Sequence, residues 1–154
     1  MKKVNIYLMS DIKTVRRKSG RVLYVMEYGK TTLTQFEEIT SASAGGAELM
    51  ATVLALRRLT EPCRLTIWLE QPYVPNNMIR NIWQWRARDW KTKQGRPVAY
   101  SDFWKDFTEL ILKHEHEVYK GLSHPYRNWM KSELEKSEKA SVLHIGAPFE
   151  QQII

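Results

Sequence analysis

The order of the apolar segments constrains the fold of this 154-residue chain more than any other feature. Three runs typical of β-strands, at 4–9, 21–28 and 31–39, follow one another with only short, turn-prone stretches between them. Apolar residues then recur at helical spacing over 49–56, and a compact apolar run at 65–69 predicts a fourth strand. A helix between two strands of one sheet forms a crossover. The pattern therefore predicts a three-strand antiparallel meander joined to parallel strands.

The second half of the chain continues the alternation of helices and strands. Helical periodicity follows Pro72 and again follows Ser101-Asp102. The sequence then predicts a last strand at 115–119 and a charged helix at 126–139. His114 and His116, two apart at the start of the last strand, fit either a metal site or a polar edge strand. The sequence thus predicts an α/β fold with a mixed five-stranded sheet flanked by helices.

Composition excludes several classes of protein. The chain is 43% hydrophobic, enough to build a core, and its single cysteine, Cys63, excludes an internal disulfide framework and a cysteine-based zinc site. No apolar run reaches the roughly 18 residues of a membrane span, and the basic start precedes a short, interrupted apolar stretch rather than a signal peptide. We expect a cytoplasmic protein with one domain at 1–140 and a C-terminal tail at 141–154.

Positive charge is concentrated in a segment that is also rich in tryptophan. The formal net charge is +7, and residues 78–105 carry seven Lys and Arg against two Asp, together with four of the six tryptophans. Cations pair with phosphates and aromatic rings stack on bases, so the segment predicts a nucleic-acid-binding surface. Its candidate residues are Arg80, Trp83, Trp85, Arg86, Arg88, Trp90, Lys91 and Lys93. An amphipathic helix with tryptophan inward and arginine outward would give the same pattern.

Several stretches of the chain resemble type 1 ribonuclease H. Ala47-Glu48-Leu49-Met50-Ala51 is similar to the motif of the family's first helix, and 61–74 is similar to the next strand, which the family usually ends in Asp-Ser-x-Tyr-Val. The tryptophans and cations of 85–104 resemble the basic protrusion and the helix after it. Lys120-Gly121 with His124-Pro125 resembles the loop that carries the family's proton-shuttling or product-releasing histidine. The resemblance covers roughly residues 4–136 and implies the ribonuclease H fold.

The resemblance implies cleavage of the RNA strand of RNA–DNA hybrids by Mg²⁺ or Mn²⁺ held by four carboxylates. It places Glu48 at the helix carboxylate and Glu70 where the family has a strand aspartate. The first-strand aspartate, however, falls on Met9, and the last-helix aspartate falls near Lys131 or Ser132. Two of the four carboxylate positions are therefore lost.

Other residues could compensate for these losses. Asp11 shares a strand face with Met9 if the strand continues, which would give a metal site of Asp11, Glu48 and Glu70 with His124 as a further catalytic residue. Each residue also has a plainer interpretation. Glu48 could be a solvated acid in the first helical turn, Asp11 a turn residue and His124 a loop residue.

Three hypotheses for function follow. The first is a ribonuclease-H-like protein that binds RNA–DNA hybrid or duplex nucleic acid and has weakened or lost cleavage. The second is an active divalent-metal-dependent hybrid endoribonuclease with a rearranged site. The third is a protein-interaction module on the same fold, because tryptophan and arginine are also enriched in protein interfaces.

Overall fold

The computed structural model describes residues 1–136. Its strands are β1 Lys2–Ser10, β2 Lys18–Tyr28, β3 Thr31–Ala42, β4 Cys63–Leu69 and β5 Glu115–Lys120. Its helices are α1 Ala44–Leu56, α2 Tyr73–Arg80, α3 Ile82–Ala87, α4 Ser101–Ile111 and α5 Arg127–Glu135. The predicted helix over 126–139 and the predicted tail at 141–154 fall partly or wholly outside the described residues.

The sheet has the strand order β3-β2-β1-β4-β5. The first three strands pair antiparallel, while β4 lies parallel to both β1 and β5. This confirms the predicted mixed five-stranded sheet with its crossover through α1. Because β1 and β4 are parallel, their carboxyl ends meet at one edge of the sheet.

Alternation along the central strand β1 produces two separate cores. Val4, Ile6 and Leu8 face the main core, which α1 and α4 cover. Tyr7 and Met9 point to the opposite face and pack with a smaller cluster that includes Met130 and Leu134 of α5. Helices therefore flank the sheet on both faces, and α5 places its first residues beside the ends of β1 and β4.

The helix predicted after Pro72 is interrupted. The Asn81 amide N–H donates to the Asn77 carbonyl to end α2, and the Asn81 carbonyl then accepts from the Trp85 amide in α3. Asn81 itself has φ −125°, outside the helical region. Periodicity alone could not detect this break, because the apolar spacing continues across it.

No helix within residues 1–136 is long and apolar enough to cross a membrane.

Candidate functional site

The first turn of α1 packs closely against two tyrosines, and the helix places Glu48 in the interior of the protein. Ser43 caps the helix by accepting a hydrogen bond from the Gly46 amide at 3.1 Å. A Cβ atom at Gly45 would collide with Tyr73, and one at Gly46 would collide with the ring of Tyr100. The two glycines therefore let both tyrosines lie directly on the first turn of the helix.

Glu48 is completely buried, and each of its carboxyl oxygens accepts one backbone hydrogen bond. Its Oε2 accepts from the Glu70 amide at 2.8 Å, and its Oε1 accepts from the Gln71 amide at 3.0 Å. Burial raises the pKa of the Glu48 carboxyl to about 8, and the two backbone donors only partly offset this, while the nearby Glu70 charge adds to it. The interpretation of Glu48 as a solvated first-turn acid is wrong.

Glu70 directly follows β4 and is paired with an arginine. Its Oε1 accepts from Arg127 Nη2 at 2.9 Å and from Arg127 Nε at 3.1 Å, and its Oε2 lies 3.4 Å from the same Nε. Arg127 is the first residue of α5. In this forked contact two guanidinium nitrogens donate to one carboxylate oxygen, Oε1, and both partners are charged, which strengthens the hydrogen bonds.

Asp11 lies apart from the two glutamates. Strand β1 ends at Ser10, so the strand does not continue far enough for Asp11 to share a face with Met9. Asp11 Oδ1 instead accepts from the Arg21 amide at 2.7 Å, and its Oδ2 lies 3.6 Å from Arg21 Nε. Within residues 1–136 no three His, Cys, Asp or Glu side chains are close enough to hold a metal ion together. The structure thus does not assemble the predicted set of Asp11, Glu48 and Glu70.

The donors that are present do not fit a pair of divalent ions. Magnesium and manganese need several anionic oxygens free to converge on one point. Both Glu48 oxygens are occupied by backbone N–H groups, and Glu70 is engaged by a guanidinium. Met9 lies on β1 two residues beyond the Tyr7–Trp68 pair, level with Glu70, and it offers no oxygen.

His124 is packed into an aromatic cluster rather than exposed in a loop. It is 9% exposed, and its ring centroid lies 4.6 Å from that of Tyr7 and 5.7 Å from that of Trp68. Its Nδ1 accepts from the Tyr126 amide at 3.2 Å, which assigns the proton to Nε2. Burial lowers the pKa of His124 against the opposing influence of Glu70. The buried Nε2 and the buried Trp68 Nε1 both lack a hydrogen-bond partner among the described residues.

The other two histidines flagged by sequence do not form a shared metal site in the described part of the chain. His114 Nδ1 accepts from the Cys63 amide at 2.9 Å, so this ring nitrogen is already used. His116 is exposed on β5, which is an edge strand of the sheet. The interpretation as a polar edge strand fits the structure.

The basic segment after β4 presents its cations but only part of its aromatic surface. Trp83 is 54% exposed, with the Arg86 guanidinium 5.8 Å from its ring centroid. Trp90, in contrast, is buried at 8% exposure, and Trp85 is half-buried with its ring centroid 5.9 Å from that of Trp104. The prediction that Trp90 offers a stacking face is therefore wrong, while Trp85 keeps part of its surface exposed. Of the five predicted cations, Arg80, Arg86, Lys91 and Lys93 are exposed and Arg88 is half-buried.

Sequence reasoning missed two arginines. It sought acids at the end of the chain and overlooked Arg127, although this residue closely follows His124-Pro125. The basic stretch 13–21 was also given no role, and the strand predicted from residue 21 in fact begins at Lys18. Arg17 from this stretch lies 4.5 Å from the ring centroid of Tyr100, whose hydroxyl accepts from the Ser43 amide at 3.0 Å. The basic loop is thus anchored beside the start of α1.

Comparison with known proteins identifies the class to which this fold and site belong. The family model for RNase H matches residues 3–137, and the chain belongs to that family. Ribonuclease H of Ralstonia nicotianae is 37% identical over 81 residues, which are 51% of this chain and 54% of the relative. Ribonuclease HI of Haemophilus influenzae is 31% identical over 96 residues, which are 62% of this chain and 60% of the relative. The matched regions thus span little more than half of these curated relatives.

Solved structures agree on the fold. The crystal structure of LC9-RNase H1, a type 1 RNase H with the type 2 active-site motif, has a TM-score of 0.69 at 16% identity, covering 86% of this chain and 70% of that one. The foamy viral protease-reverse transcriptase in complex with RNA/DNA hybrid has a TM-score of 0.59 at 10% identity, covering 92% of this chain and 20% of that one. The same viral protein in complex with dsDNA has a TM-score of 0.62 at 14% identity, covering 86% of this chain and 90% of that one. At these identities the likeness establishes the fold alone.

Proposed function

We propose that this protein binds RNA–DNA hybrid or duplex nucleic acid and cleaves the RNA strand weakly or not at all. The observation that carries the proposal is the closed carboxylate pair beside Met9. Glu48 is held by two backbone amides and Glu70 by Arg127, which leaves no cluster of free anionic oxygens among residues 1–136 for catalytic metal ions.

The binding half of the proposal is supported by charge. Arg80, Arg86, Lys91 and Lys93 are exposed along one segment, and Trp83 offers an exposed ring beside Arg86. Such an arrangement contacts a phosphate backbone with cations and a base or sugar with the ring. Complexes of a protein of the same fold with RNA/DNA hybrid and with dsDNA support the choice of ligand class.

Fluorescence anisotropy with a labelled RNA–DNA hybrid, an RNA duplex and a DNA duplex tests the binding. We expect the affinity to fall steeply between about 50 and about 200 mM salt, because phosphate contacts release counterions. The triple variant R86E/R88E/K91E should bind much more weakly. Its salt slope should be shallower by roughly one for each phosphate that the variant no longer neutralises.

A matched control separates local contacts from net charge. K3E/K30E/K113E makes the same change of net charge with exposed residues at the opposite edge of the sheet, where β1 and β5 begin. This control should keep most of the low-salt affinity. Absence of binding at low salt, or binding without salt dependence, would refute the proposal. Equal binding by both triple variants would favour the protein-interaction module or a different surface.

Cleavage is tested on the same hybrid with Mg²⁺ and with Mn²⁺. We expect little or no hydrolysis of the RNA strand by the native protein. Robust hydrolysis that disappears in both E48Q and E70Q would establish the alternative, an active endoribonuclease with a rearranged site.

A further inference from the structure

The position of Arg127 has no explanation in the stability of its own helix. It is the first residue of α5, and no acidic residue lies in the first turn of that helix. The partial positive charge of a helix N-terminus favours anions and disfavours a cation at this place. Arg127 is nevertheless held there by a forked contact with Glu70.

The contact joins the exposed guanidinium of Arg127 to the mostly buried carboxylate of Glu70. The Glu70 side chain is 18% exposed and that of Arg127 is 44% exposed, so the arginine lies on the solvent side of the pair. Glu70 in turn lies beside the buried Glu48, whose oxygens accept from the Glu70 and Gln71 amides. An ion approaching Glu70 from solvent therefore meets the guanidinium, which already binds Glu70 Oε1 through two N–H groups.

We infer that Arg127 is a built-in cation that takes the place of a divalent metal ion at this site. A guanidinium keeps its charge at every accessible pH and satisfies a carboxylate with directed hydrogen bonds, so Glu70 needs no other counter-charge. A divalent ion would have to break the forked contact and would then lie beside the displaced positive charge. The native protein therefore does not take up Mg²⁺ or Mn²⁺ here. If the proposed nucleic-acid binding holds, that binding does not require a divalent ion.

Metal binding is tested with MnCl₂ alone, by thermal unfolding and by the loss of the free Mn²⁺ electron paramagnetic resonance signal. The native protein should show neither a rise in melting temperature nor uptake of Mn²⁺ at millimolar concentration. R127D removes the guanidinium and adds a carboxylate at an exposed position, so it should take up Mn²⁺. Its melting temperature should rise by a few degrees, about 3 °C, when Mn²⁺ is roughly tenfold above its dissociation constant.

N128D is the matched control. It adds a carboxylate at the neighbouring exposed residue while Arg127 stays in place, so it should behave like the native protein towards Mn²⁺. Circular dichroism confirms that each variant is folded before metal is added. Uptake of Mn²⁺ by the native protein would overturn the inference. So would the absence of uptake by folded R127D, because Arg127 would then not be what keeps the ion out.

The binding arm distinguishes this inference from the proposed function. Hybrid affinity of the native protein in EDTA should be no weaker than in MgCl₂ at matched ionic strength, and a requirement for Mg²⁺ would overturn the inference. If no hybrid binds under any condition, the proposed function fails while the Mn²⁺ result still decides the role of Arg127.

Discussion

The burial of Glu48 predicts an unusual dependence of stability on pH. Its carboxyl has a pKa of about 8 in the folded protein, compared with 4.5 for the exposed side chain. Between these values the unfolded state loses a proton that the folded state keeps. The free energy of unfolding therefore falls as pH rises, by about 1.4 kcal/mol for each pH unit. From pH 5 to pH 7 this one group should lower stability by about 2–3 kcal/mol.

Comparing the native protein with E48Q isolates this contribution, because the other titrating groups are common to both. A glutamine side chain has a similar shape and one acceptor oxygen but does not titrate. The stability advantage of the native protein over E48Q should shrink by about 2–3 kcal/mol between pH 5 and pH 7. Urea unfolding followed by tryptophan fluorescence measures both proteins at each pH.

Glu135 provides the control, since it is exposed at the end of α5. The free energies of unfolding of E135Q and the native protein should differ by less than about 0.5 kcal/mol, and by nearly the same amount at both pH values. If the difference between the native protein and E48Q is also unchanged from pH 5 to pH 7, Glu48 is ionised in the folded protein. The account of a closed, uncharged carboxyl at residue 48 would then be refuted.

Two further predictions concern packing and the basic segment. Gly46→Ala should lower the free energy of unfolding by about 1–3 kcal/mol, because the added Cβ collides with the Tyr100 ring. Helix propensity alone predicts the opposite, a gain in stability of up to about 1 kcal/mol. A variant that is more stable than the native protein in urea unfolding would therefore contradict the packing argument. Trp90→Ala removes a buried side chain and should lower the free energy of unfolding by about 3–5 kcal/mol. Trp83→Ala removes an exposed side chain, so it should leave the free energy of unfolding nearly unchanged and weaken hybrid binding, measured by fluorescence anisotropy, about tenfold. Similar losses of stability in both variants would contradict the burial of Trp90 and the exposure of Trp83.

The fold could be predicted from the sequence because its signals are local. The strand-forming runs and the short links between the first three of them predicted an antiparallel meander, and the helix before β4 predicted a crossover. The break at Asn81 could not be predicted in this way, nor could the burial of Trp90 at a position beyond the end of α3. Trp90 follows Asp89, and both adopt positive φ values, 54° and 63°, which non-glycine residues rarely show and no simple pattern indicates.

The site could be predicted only in part, because it depends on contacts between distant segments. The resemblance located Glu48 and Glu70 correctly at neighbouring places, and the hydrogen bonds to Glu48 join them. The partner of Glu70 is 57 residues away, and nothing near Arg127 in the sequence indicates that pairing. Asp11 was misplaced because the end of β1 at Ser10 decides where its side chain points.

The changes at the site reinforce one another electrostatically. Carboxylates gathered for metal ions repel each other when no ion is bound, and their burial makes that repulsion costly. In this chain Met9, at the position where the resemblance implies an aspartate, carries no charge. The pKa of about 8 keeps Glu48 largely neutral near pH 7, and Arg127 compensates Glu70. The site is therefore close to electrically neutral without any bound ion. Reversing one change alone, as in M9D, would place an uncompensated charge in the core formed with Met130 and Leu134, so we expect restoration of metal binding to begin from the exposed residue, Arg127.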